Sequence, residues 1–156
     1  WTIQLEGGAD KTPYTPHGYG IQNNAWDTYH EKTKRNDYNY KNYYKWCWDE
    51  GKASQLKDPN IAIIYARGHF FIPGVVTTNI IDSLNNMSPQ QAFNKVMKLI
   101  GNYMLNATRK DGSHVINDNK GWRRFIINTK YGDYHNVYND NNNPSVQEVK
   151  KYINSL

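Results

Sequence analysis

At 156 residues the chain has the length of one domain and enough surface to bury a core. Hydrophobic residues make up 38% and charged residues 21%, and the 13 Tyr and 5 Trp are too aromatic a composition for a disordered chain. A net charge of +5 and a pI near 9.2 favour an anionic partner, whether nucleic acid, a membrane surface or an anionic cell-wall polymer.

The chain opens on Trp1 rather than Met, and Trp1 and Leu5 share one helix face, so the front of a first helix is expected to be missing. No signal peptide is visible. That helix is expected to end at Glu6-Gly7-Gly8, because glycine takes the left-handed conformation that closes a helix. Glu6 then falls in the last turn, at the negative end of the helix dipole. A carboxylate is disfavoured there, and in a dry site it would hold its proton as a general acid must. The plain alternative is a surface Glu at a frayed end. Residues 9 to 20 hold Pro13, Pro16, Gly18 and Gly20 and read as a loop or short irregular hairpin.

A helix is expected to restart over Ile21 to His30, with Ala25, Trp26 and Tyr29 on one side. Glu31 to Lys57 is polar, basic and rich in Tyr, and gives no clear period. The aromatics between Trp26 and Trp48 read as core by default, with one or two available to stack on a sugar. Cys47 is the only cysteine, which excludes an internal disulfide; between Trp46 and Trp48 it reads as a small buried hydrophobe.

From Asp58-Pro59, an N-cap with proline in the first turn, a helix carries Ile61, Ile64 and Tyr65 and is expected to stop near Gly68. Phe70 to Pro73 reads as an apolar connector, and Val76, Ile80, Ile81 and Leu84 return to helical spacing. Ser88-Pro89-Gln90-Gln91 is a capping-box start for a helix with Phe93, Val96, Met97, Ile100 and Met104 as its buried stripe. Asp111-Gly112 is a turn, and Gly121-Trp122 opens a helix containing Phe125 and Ile126. Asn139 to Asn143 is a polar loop. Asn143-Pro144 is expected to cap a last helix bearing Val146, Val149, Tyr152, Ile153 and Leu156. The expectation is a mainly α domain over residues 1–156, with about six or seven helices and at most one small β-hairpin. No apolar run approaches the roughly 18 residues of a membrane span. His17, His30, His69, His114 and His135 have no metal-ligand spacing, and no metal or other cofactor is expected.

Three segments belong together by order and spacing: Glu6-Gly7-Gly8, then His17-Gly18-Tyr19-Gly20-Ile21, then the stretch from Ile80 to Pro89 that holds Asp82 and Asn85. On these motifs the chain resembles glycoside hydrolase family 108, the phage and bacterial N-acetylmuramidases with a lysozyme-like fold. Tyr65 with Phe70-Phe71 falls where that family has a Tyr followed by an aromatic pair. The resemblance covers roughly residues 3 to 105; beyond that, only Gly121-Trp122-Arg123-Arg124 is similar to the family's late Gly-Trp segment.

The resemblance implies a lysozyme-like helical domain that acts on the glycan strand of peptidoglycan, on the wall side of the cell. Glu6 takes the place of the family's catalytic glutamate. A glycosidase needs a second group as nucleophile or as base for water. Here the sequence departs from the family, whose loop carries an Asp-Pro-Gly-Gly-x-Thr-Asn run; this loop is shorter, with Thr15-Pro16-His17 in its place. Asp10 is the nearest acid in the loop and is equally a residue that turns select. Thr15 and His17 are alternatives for positioning a water. Tyr19, Asp82 and Asn85 are further candidate substrate contacts, Asp82 and Asn85 with a structural role as the alternative. The competing functions are a lytic transglycosylase, a wall-binding module without catalysis and a basic nucleic-acid binder; no nucleic-acid motif supports the last. A free lysin, a component of a phage particle and a piece of a longer chain all stay open.

Overall fold

The apolar spacings above build helices, and the computed structural model, which describes residues 9–134, 137 and 141–156, is mainly α. Seven α-helices lie among the described residues: α1 (Asn23–Thr33), α2 (Tyr40–Glu50), α3 (Pro59–Phe71), α4 (Ile81–Asn85), α5 (Pro89–Asn106), α6 (Lys120–Asn128) and α7 (Val146–Ser155). Extended pairing among these residues is confined to two isolated antiparallel bridges, Thr108 with His114 and Lys130 with Asp133. The first closes over the Asp111-Gly112 turn, where Gly112 has φ 82° and Asp111 Oδ1 accepts from the N–H of Ser113. The chain forms two compact units, Trp1–Glu50 and Gly51–Leu156.

In the Trp1–Glu50 unit, α1 buries Trp26 and Tyr29 as the spacing predicts, and α2 buries Tyr43. Helix α1 ends where Lys34 turns left-handed, φ 58°, and returns its N–H to the carbonyl of His30. Helix α2 starts on the side chain of Asn39, whose Oδ1 accepts from the N–H groups of Lys41 and Asn42. Cys47 is half-buried rather than buried as expected; burial still pushes its thiol up to about 11, away from a reactive thiolate.

In the Gly51–Leu156 unit, α3 and α5 make the central pair, with α6 and α7 packed beside α5. Asp58 caps α3 by accepting from the N–H groups of Asn60 and Ile61. The capping box at Ser88 and Gln91 is formed, and Phe93, Val96, Met97, Ile100 and Met104 are all buried. Three boundaries differ from expectation. Helix α3 does not stop near Gly68 but runs to Phe71, so Phe70 and Phe71 are helical rather than a connector. Gly68 serves packing instead: a Cβ there would lie 2.9 Å from Val76 Cγ2 and 3.0 Å from Ile100 Cδ1. Val76 and Ile80 precede α4 in a turn and a short 3₁₀ segment. The last helix is capped by Ser145, in a capping box with Glu148, and not by Asn143-Pro144.

Arg123 of α6 organises the C-terminal part of this unit. It is buried, and its guanidinium donates to the carbonyls of Pro144, Ile116 and Asn117, each at 2.7 Å. Tyr131 and Tyr134 fasten the following segment to the start of α3, through Asp58 Oδ2 and the carbonyl of Asn60.

Candidate functional site

The loop before α1 folds on its own polar groups. Thr12 and Thr15 exchange backbone hydrogen bonds at 3.3 and 3.1 Å around Pro13 and Tyr14, and their hydroxyls meet at 2.8 Å. Proline fixes the turn and the threonine hydroxyls complete it. The Thr15 carbonyl then accepts from the N–H of Gly18, which starts a left-handed run: Gly18, Tyr19 and Gly20 have φ of 76°, 58° and 69°. Gly18 also passes against the backbone of Ala9, where a Cβ would lie 2.6 Å from the carbonyl oxygen. Tyr19 is not a glycine, so its conformation carries strain that its surroundings must hold. They do so twice: its ring stacks on Tyr40 at 3.8 Å, and its carbonyl accepts from the Tyr44 hydroxyl at 2.7 Å.

The neighbouring His17 stacks on Tyr38, with centroids 3.6 Å apart and planes 16° apart. Residues 17 and 19 thus pair with residues 38 and 40, two parallel stacks at the same spacing of two. Beneath them Trp26 is buried and meets Tyr38 edge-on at 5.3 Å and His17 at 6.3 Å. The Trp26 indole N–H has no hydrogen-bond partner among the described residues, a cost of about 1–3 kcal/mol for a buried donor.

The segment between α1 and α2 is fixed by Asp37. Its Oδ2 accepts from Arg35 Nε at 2.7 Å and from the Tyr29 hydroxyl at 3.4 Å. Its Oδ1 accepts from the N–H of Asn39 and from Asn42 Nδ2, and its carbonyl meets His30 Nε2 at 2.8 Å. The Arg35 guanidinium, helped by these donors against a smaller effect of burial, holds the Asp37 carboxyl down to about 2.

Of the residues expected from sequence, Thr15, His17 and Tyr19 lie together on this loop, Thr15 with its hydroxyl in the turn rather than free for a water. Asp10 is exposed in the same loop, without a hydrogen bond or ion pair to another described residue. Glu6, with Gly7 and Gly8, lies outside the described residues. Asp82 and Asn85 belong to the other unit, on α4. Asp82 is exposed in the first turn. Asn85 is a staple: Oδ1 accepts from the N–H of Lys57 and Nδ2 donates to the Gln55 carbonyl, at the edge of a cleft of about 330 Å³ with Leu56, Ile61, Leu84 and Met87. The sequence left one or two of the aromatics between Trp26 and Trp48 open for stacking without singling out Tyr38 or Tyr40, and gave Arg35 and Asp37 no role; the available signal was the two-residue spacing that Tyr38 and Tyr40 share with His17 and Tyr19.

Among the described residues, no three of His, Cys, Asp and Glu gather as metal ligands, and no helix is long and apolar enough to cross a membrane. The chain matches no protein-family model, no curated protein and no solved structure.

Proposed function

We propose that the chain is a peptidoglycan hydrolase of the N-acetylmuramidase type, with Glu6 as the general acid. The observation that carries the reading is the left-handed turn at Gly18-Tyr19-Gly20. It falls on one of the motifs that resemble the muramidase family, and a strained non-glycine residue clamped from two sides marks sites where geometry matters more than stability. The motif has a fixed shape here, beside exposed aromatic and polar side chains suited to a sugar.

In this reading Glu6 protonates the glycosidic oxygen between N-acetylmuramic acid and N-acetylglucosamine. The C–O bond breaks through an oxocarbenium-like state, and water completes the hydrolysis. Asp10, exposed and without a structural partner among the described residues, is the candidate for activating that water or stabilising the developing positive charge.

The test is mass spectrometry of muropeptides released from purified sacculi. Fragments with reducing N-acetylmuramic acid ends are expected, and Glu6→Gln should abolish them, since general acid catalysis contributes about two to four orders of magnitude. Anhydro ends would instead identify a lytic transglycosylase. No released fragments, with binding to the wall intact, would identify a wall-binding module.

A further inference from the structure

We propose that Tyr38, backed by His17 and flanked by Arg35 and Asp37, is a stacking platform for one pyranose ring of a glycan strand. The inference deepens the muramidase reading and rests on it only for the choice of glycan.

Tyr38 is 51% exposed, yet its ring is held in place. One face lies on His17, and the rings of Trp26 and His30 meet it edge-on at 5.3 and 5.0 Å. An exposed tyrosine supported in this way has little rotamer freedom left to lose when a ligand stacks on it, which is the advantage of a preorganised surface. A pyranose ring presents one face of C–H groups, which suits an aromatic ring, and a rim of hydroxyls, which suits charged and amide groups.

The rim groups stand on either side in the chain. Asp37 and Asn39 are the immediate neighbours of Tyr38, and Asn42 follows on the first turn of α2. Asp37 stays a carboxylate across the working pH range, held by Arg35 and by Asn39 and Asn42. Arg35 is half exposed and, among the described residues, only its Nε is engaged, so its two Nη groups keep donors for sugar hydroxyls. A purely apolar partner would offer no acceptor to the two Nη groups of Arg35. The Arg35–Asp37 pair carries no net charge, so this patch offers a polyanion no particular attraction. A neutral, hydroxyl-rich ring suits both halves of the surface.

The experiment is a calorimetric or NMR titration of the full chain with a soluble β-1,4-linked N-acetylglucosamine tetramer, run beside the muropeptide assay. Tyr38→Ala should weaken binding by about tenfold or more, the size of effect that loss of an aromatic stacking partner has on nucleic-acid bases. Tyr38→Phe should bind as wild type, because the ring and its His17 support remain. Arg35→Gln should weaken binding by a smaller factor. Unchanged binding in Tyr38→Ala, with the protein folded by circular dichroism, overturns the proposal, as does a wild-type chain that fails to bind the tetramer at millimolar concentration. The two readings fail separately. Binding that depends on Tyr38, with no muropeptides released, removes the muramidase reading and keeps the platform. Full release of muropeptides, with binding indifferent to Tyr38, does the reverse.

Discussion

Gly101 in the middle of α5 lies directly under the side chain of Ile153 on α7: a Cβ built on Gly101 would overlap Ile153 Cδ1 and crowd Cγ1. Glycine costs about 1 kcal/mol relative to alanine inside a helix, so its presence here exchanges helix propensity for close packing of two helices. Gly101→Ala is expected to destabilise the Gly51–Leu156 unit by about 1–3 kcal/mol, the usual cost of overpacking, despite the propensity gain. Ile153→Val, which deletes the overlapping methyl, should recover part of the loss when combined with it. Additivity of the two changes in a double-mutant cycle, measured by urea unfolding, would contradict the contact.

Arg123 offers a second test of the same unit. Its charge is balanced by three carbonyl oxygens, drawn from the segment before α6 and from Pro144 just before α7. Arg123→Met keeps the aliphatic stem but leaves buried carbonyls unpaired. Hydrogen bonds from a charged donor are each worth about 1.5–3 kcal/mol, so a loss of about 3 kcal/mol or more is expected in denaturant unfolding. Arg124→Met, which removes the Nε bond to the carbonyl of Asn142, should cost less because Arg124 is only half-buried. Equal losses would show that Arg123 has no special place.

The difference between the two arginines also shows where sequence reading stops. Gly121-Trp122-Arg123-Arg124 marked a helix correctly from Phe125 and Ile126, but nothing in two adjacent arginines says which one turns inward. The apolar stripe was most legible in α5, whose five predicted core residues are all buried, and least so before α4, where Val76 and Ile80 keep the spacing without being in the helix. Helix α2 was not legible, because its inner face is built from Tyr43 with Trp46 and Cys47, while Lys41, Lys45 and Asp49 read as a solvated segment. Tyr and Trp serve cores and surfaces alike, so their spacing carries less information than that of Ile or Val. Gly68 misled for a related reason: a glycine near an expected helix end reads as a stop, and only the approach of Val76 and Ile100 reveals its packing role. At the candidate site, the sequence marked Tyr19 by motif. The Tyr38 and Asp37 contacts depend on where the loop before α1 meets the segment before α2, which local patterning does not encode.

Acid should act on the Trp1–Glu50 unit through Asp37. Arg35 and the surrounding donors hold this carboxyl at about 2, below the ordinary aspartate value of about 3.9. A depressed folded-state value means the unfolded chain takes up the proton first, so the contribution is fully present above about pH 4 and is lost as the pH falls towards 2. Asp37→Asn removes the titration. Its stability should fall less steeply between pH 4 and 2 than that of the wild type, with the two curves offset but parallel above pH 5. Unfolding curves followed by tryptophan fluorescence across this range test it; wild-type and variant curves that run parallel down to pH 2 would exclude Asp37 as the responsible group.

If the chain is the proposed hydrolase, the loop before α1 lets a role for Asp10 be separated from one for His17. The turn before α1 is shaped by Thr12 and Thr15, not by Asp10, which makes no hydrogen bond to another described residue. Asp10→Asn therefore leaves the described turn bonds intact, and any loss of rate reports on chemistry. If Asp10 activates water or stabilises charge, the expected loss in kcat is about a hundredfold or more, with stability unchanged. His17→Ala should behave differently. It removes the support beneath Tyr38 and is expected to raise KM several-fold with a smaller change in kcat, the mark of lost binding common to ground and transition states. Thr15→Ala removes one hydroxyl from an exposed turn and should alter both parameters little. Rates on a soluble glycan substrate for the three variants assign the roles: a large fall in kcat for His17→Ala, with Asp10→Asn near wild type, would move the water-activating role from Asp10 to His17.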